Sequence, residues 1–256
     1  MHGRDSGKNR YDANFQRFAA APVTFDQPEP MSDLPETLEH ATDNDPRWSV
    51  IWLHGLGADG NDFLPIVPQL VQQDWPAIRF VFPHAPVRPV TINGGAPMRA
   101  WYDIRDLDLS NRADVEGVDA SVALVEGLIA REAERGIPAA RVLLAGFSQG
   151  GAITLAAGVR RQTPLAGLIA LSTYLPLGTA TLRSMVPAAR AQPIFMAHGL
   201  HDPIVPYSGG KRSRDALRDG GFQVDWHAWP MAHEVCAEEI AALTSWMSSR
   251  FAAHLN

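Results

Sequence analysis

The chain has 256 residues, 46% of them hydrophobic, with 22 Lys and Arg against 28 Asp and Glu and one cysteine. That length supports one sizeable core, and with no basic cluster to track a phosphate backbone nucleic acid is excluded as an expected partner. The lone Cys236 excludes an internal disulfide framework and a multi-cysteine zinc site and fits a reducing, cytoplasmic compartment, and no apolar run approaches the ~20 residues needed to span a bilayer, so no stable membrane insertion is expected.

In chain order, residues 1–30 are polar, charged and aperiodic and read as a disordered extension. The boundary is set so that 1–40 is the extension and 41–256 a single domain. Strand-length apolar runs follow at 49–53, 79–82, 141–145, 167–171, 193–197 and 222–228. Helical spacing or composition marks 61–72, 114–135, 149–160, 208–219 and 234–251 between them. This alternation predicts the α/β class, with a mostly parallel central sheet carrying helices on both faces, and ligands in such sheets bind beyond the carboxyl ends of the strands. The connection 83–113 is unusually long and rich in Pro and Gly, and it carries Met98, Trp101 and Tyr102. These three are candidate substrate-binding residues forming an apolar wall, the alternative being that the aromatics only tether the loop to the core.

Gly146-Phe147-Ser148-Gln149-Gly150 joins a buried strand to a helix. In that context G-x-S-x-G is the nucleophile elbow of α/β-hydrolases, a turn too tight for side chains on either side of the serine. A serine hydroxyl is a poor nucleophile at neutral pH, so it needs a base within reach and a carboxylate to orient that base. In this fold they follow in the order Ser, then Asp or Glu, then His. Of the later histidines, His201 directly precedes Asp202 ahead of the final strand, His227 lies within that strand and His254 lies beyond the last helix. His233 remains, in the loop between the final strand and the final helix. Asp202 sits on a loop at a strand's carboxyl end, whereas Asp215 and Asp219 belong to an amphipathic helix and Asp225 is in mid-strand. Ser148, Asp202 and His233 are therefore the candidate catalytic residues.

Gly55-Leu56-Gly57-Ala58-Asp59-Gly60 formally matches the dinucleotide fingerprint G-x-G-x-x-G, but the next strand ends Phe82-Pro83-His84-Ala85 without the carboxylate that holds the ribose. The loop reads instead as oxyanion machinery, with Leu56 donating one backbone N–H and Gln149, at the start of a helix, the other. His54 reads as structural. His198, His201 and His84 could be imagined as metal ligands, but the sequence has no H-E-x-x-H, so neither a metal nor a cofactor is expected.

Leu53-His-Gly-Leu-Gly57, Gly146-Phe-Ser-Gln-Gly150, Leu171-Ser-Thr-Tyr-Leu-Pro176, His198-Gly-Leu-His-Asp-Pro203 and the late His233 together resemble the phospholipase/carboxylesterase family, the acyl-protein thioesterase-like serine hydrolases, over roughly residues 45–252. The resemblance implies a compact α/β-hydrolase fold without a large lid domain. It also implies hydrolysis of a small ester or acyl substrate, a carboxylic ester and in some members an acyl thioester or lysophospholipid, with Ser148, Asp202 and His233 on the triad positions and no cofactor. Trp101-Tyr102-Asp103 resembles the family's aromatic-aromatic-Asp loop near the acyl site, and Thr173 stands where many members carry a smaller residue. A homodimer is compatible with the resemblance. The same triad would also serve a peptidase or a lactone hydrolase, and the fold alone would serve a non-catalytic binding protein.

Overall fold

The computed structural model describes residues 34–106 and 114–253. In chain order the strands are β1 (Thr37–Ala41), β2 (Trp48–Leu53), β3 (Ile78–Pro83), β4 (Val87–Val90), β5 (Ala96–Arg99), β6 (Val142–Phe147), β7 (Gly167–Leu171), β8 (Ile194–Gly199) and β9 (Val224–Trp229). The α-helices are α1 (Val67–Leu70), α2 (Val115–Glu134), α3 (Gln149–Gly158), α4 (Tyr207–Asp219) and α5 (Ala237–Ala252).

A seven-stranded sheet runs β1-β3-β2-β6-β7-β8-β9. Every pairing in it is parallel except β1 with β3 at one edge. The inner strands β2, β3, β6, β7 and β8 are mostly apolar because both their faces are covered, and the period of two sorts their side chains between two cores. In β2, Ile51 and Leu53 join the core shared with α2, α3 and α4, while Trp48, Val50 and Trp52 join the core shared with α1 and α5. Val142 and Leu144 of β6 face the first core, and Leu143 and Ala145 face the second. This is the expected α/β-hydrolase architecture, with no large lid among the described residues.

Three expectations are corrected. The region 61–72 is not one helix. A 3-10 turn over Leu64–Ile66 leads into the single turn of α1, because Pro65 and Pro68 remove backbone donors within it. The boundary at residue 40 cuts through β1, whose Thr37–Ala41 pairs with β3 from Pro83 back to Arg79. Its mostly polar residues, three of the five exposed as an edge strand allows, hid it from a search for apolar runs. The rest of the expected extension, residues 1–33, lies outside the described residues. The connection 83–113 contains the hairpin β4-β5, whose turn uses Gly94 and Gly95 at φ 67° and 77°.

Candidate active site

Ser148 stands between β6 and α3 with φ 53° and ψ −117°, a left-handed conformation that costs a non-glycine residue about 1–3 kcal/mol. The turn is held from several sides. The Ser148 N–H donates to the Leu171 carbonyl at 2.8 Å, and the Ser148 carbonyl accepts from Ala152 N–H at 3.1 Å and from the Thr173 hydroxyl at 2.6 Å. A side chain at Gly150 would put its Cβ 2.3 Å from the Leu53 carbonyl oxygen, so only glycine lets α3 start this close to the end of β2. Ser148 itself is 9% exposed, at the carboxyl end of the sheet.

Asp202 lies on the loop after β8 and His233 on the loop after β9. These strands are neighbours in the sheet, so both loops emerge at the same end. The loops are tied by Leu200 N–H to Trp229 O at 2.8 Å and His201 N–H to Met231 O at 3.1 Å. At Gly199 they touch backbone to backbone, since a Cβ there would sit 2.2 Å from the Ala232 carbonyl oxygen. The result is a hydrogen bond of 2.7 Å between His233 Nδ1 and Asp202 Oδ2. The second oxygen, Oδ1, accepts the N–H groups of Ile204 and Val205, both at 2.8 Å. The carboxylate is buried and its rotamer is fixed from both ends, while His233 keeps partial exposure. The His233 ring packs against Phe147, centroids 4.8 Å apart, which brings the imidazole beside the residue that precedes Ser148.

The glycine loop after β2 lies against the elbow: a Cβ at Gly55 would be 3.5 Å from Ser148 Cβ. His54 braces this loop. Its Nδ1–H donates to Gly55 O at 2.7 Å and its Nε2 accepts Ala85 N–H at 3.0 Å. Burial holds the ring neutral by pushing its pKa down to about 4. Gly57 N–H donates to Arg99 O at 2.9 Å and Ala58 N–H to Gly55 O at 3.3 Å, which pins the backbone on the far side of Leu56. Gln149 opens α3, so its backbone N–H is one of the helix-terminal donors that have no acceptor within the helix.

Trp101 and Tyr102 correct the expectation of an apolar substrate wall. They are 0% and 3% exposed and belong to the core. Trp101 Nε1–H donates to His54 O at 2.9 Å, and the Tyr102 and Tyr174 hydroxyls pair at 2.7 Å. Met98 alone of the three is partly exposed, with its sulfur 3.9 Å from where a Cβ on Gly57 would lie. Two roles escaped the sequence reading. Thr173 anchors the elbow from below, and the Gln149 side chain clasps the connection through Trp101 and Tyr102, accepting Trp101 N–H and donating to Tyr102 O, both at 2.8 Å. Only the tertiary structure brings these groups together. Among the imagined metal ligands, His198 is buried and His201 exposed, and among the described residues no group of three or more His, Cys, Asp or Glu is arranged to hold an ion.

The family model for phospholipase/carboxylesterase matches residues 39–250. An acyl-protein thioesterase 1 of Neurospora crassa is 40% identical over 212 residues, covering 79% of this chain and 86% of that protein. The acyl-protein thioesterase 1 of Yarrowia lipolytica is 36% identical, covering 86% of this chain and 96% of that one. Among solved structures, Arabidopsis thaliana SOBER1 superposes with a TM-score of 0.76 at 31% identity, over 80% of this chain and 99% of that chain. The chain belongs to the phospholipase/carboxylesterase family and is a hydrolase of the esterase and thioesterase type.

Proposed function

We propose that Ser148, His233 and Asp202 form a catalytic triad that hydrolyses carboxylic esters or acyl thioesters through an acyl-enzyme. The observation that carries this reading is the 2.7 Å bond from His233 to the buried Asp202, built beside a serine held at positive φ. His233 takes the Ser148 proton as Oγ attacks the carbonyl carbon, and the backbone N–H groups of Leu56 and Gln149 hold the resulting oxyanion. His233 then gives the proton to the departing alcohol or thiol. A water enters, loses a proton to His233, and attacks the acyl carbon to release the acid and restore Ser148. Asp202 fixes the Nδ1–H tautomer throughout and stabilises the imidazolium. Each step moves one proton between His233 and an oxygen or sulfur, so the cycle needs no redox partner.

The acyl group enters on this reading past Met98, the partly exposed member of the connection, and the working compartment is the cytoplasm, where the Cys236 thiol stays reduced. A fluorophosphonate probe tests the nucleophile: wild type labels at one site and Ser148→Ala does not. Label that persists in Ser148→Ala overturns the assignment. Turnover of matched ester, thioester and anilide substrates separates an esterase or thioesterase from a peptidase.

A further inference from the structure

His198, at the end of β8, is a second imidazole on the carboxylate that orients His233. Its Nε2 lies 2.9 Å from Val205 O and 3.5 Å from Asp202 Oδ2, and the ring is wholly buried. Both neighbours of Nε2 are acceptors, so Nε2 must carry the hydrogen. The opposite nitrogen, Nδ1, has no partner and faces α4 at Gly210, where a Cβ would approach it to 2.4 Å. The ring is walled by Tyr207 and Trp226, with centroids 6.1 and 6.2 Å away. A buried polar nitrogen left unpaired costs free energy, so an apolar residue would fill this slot at less cost if packing were the only demand. Burial also pushes the pKa of the ring down, which keeps it neutral beside Asp202 and His233.

Val205 closes the arrangement. Its carbonyl accepts the His198 hydrogen while its N–H donates to Asp202 Oδ1, so the backbone of one residue links the imidazole to the carboxylate. From this geometry we infer that His198 is a positioning residue for the proposed triad: as a neutral Nε2–H imidazole it holds the 199–205 loop so that Asp202 Oδ2 faces His233. This rests on the serine hydrolase reading of the site. Being neutral, His198 adds no second cation to compete with His233 for Asp202.

Substitution separates positioning from packing. His198→Leu keeps a side chain of similar size and removes the donor, and kcat is expected to fall roughly 10- to 100-fold with KM within about twofold, as for other residues that orient a catalytic group from behind. His198→Gln restores a terminal N–H near the Nε2 position and should recover to within about fivefold of wild type. Wild-type kcat in His198→Leu, or equal loss in both folded variants, overturns the proposal. If neither variant folds, nitrogen-15 histidine NMR on the wild-type protein decides: a neutral Nε2–H tautomer between about pH 6 and 8 supports it, and an Nδ1–H tautomer or an imidazolium overturns it. Ser148→Ala is run alongside. Turnover retained there defeats the triad reading itself, whereas an inactive Ser148→Ala with a fully active His198→Leu defeats only the role of His198.

Discussion

The side chain of Gln149 binds the backbone of Trp101: Oε1 accepts the Trp101 N–H at 2.8 Å while Nε2 donates to the next carbonyl, that of Tyr102, at 2.8 Å. One residue thus contributes a backbone N–H beside Ser148 and a side chain that fastens the long connection after β5 to the elbow.

Gln149→Ala separates these two contributions, because it keeps the backbone N–H and leaves two buried backbone groups unpaired. Stability should fall by roughly 2–4 kcal/mol in denaturant titration. Labelling of Ser148 by a fluorophosphonate should persist. Unchanged stability would show that the clasp contributes nothing.

Gly199→Ala would drive a Cβ into the Ala232 and Met231 carbonyl oxygens, 2.2 and 2.4 Å away, and so part the loops that carry Asp202 and His233. A displacement near 1 Å costs on the order of a hundredfold in rate. Steady-state kinetics should show that loss in kcat/KM, with circular dichroism still reporting the folded α/β pattern. An active Gly199→Ala would mean that the loops absorb the side chain.

Thr173→Val removes the hydroxyl that donates to Ser148 O and keeps the shape packed over Gly151. Since Ala152 N–H also donates to that carbonyl, the cost should be only about 1 kcal/mol, read as a small drop in Tm. Chain-length preference on a series of acyl esters should stay unchanged, because Thr173 lies beneath the elbow and is 1% exposed. A shifted chain-length optimum would show that Thr173 influences the acyl site.

Glu239, in the first turn of α5, is wholly buried, and neither carboxyl oxygen has a hydrogen bond of good geometry, only a weak approach by the Cys236 backbone. Burial pushes its pKa up from 4.5 to about 8, against a smaller lowering by the Cys236 backbone. A raised folded value means that the unfolded chain loses this proton first. The stability associated with the neutral carboxyl is therefore complete below about pH 4.5 and is lost as pH rises through about 8. Glu239→Gln, which cannot ionise, should match wild type near pH 4 and exceed it by on the order of a few kcal/mol near pH 9, measured by urea unfolding. A difference independent of pH would place the charge elsewhere.

Short-range pattern carried much of this protein. The apolar runs of β2, β3 and β6 to β8 were legible because strands buried on both faces favour apolar residues, and the elbow was legible because a strand, a glycine-flanked serine and a helix follow one another directly. Asp202 and His233 were legible as loop residues at strand ends. By contrast, β1 and the β4-β5 hairpin escaped, since strands that are largely exposed need no apolar signature. The helix expected at 61–72 failed because Pro65 and Pro68 overrode its apolar content.

The sequence by itself determined the strand and helix order, and with it the end of the sheet at which Ser148, Asp202 and His233 emerge, because periodicity and backbone geometry act over a few residues. The tertiary structure alone decided that Asp202 meets His233 at 2.7 Å, that Trp101 and Tyr102 turn into the core instead of lining a wall, and that His198 and Gln149 reach their partners. Those contacts join residues from separate elements, and their geometry depends on ångström-scale packing at positions such as Gly199 and Gly210, which no local pattern encodes.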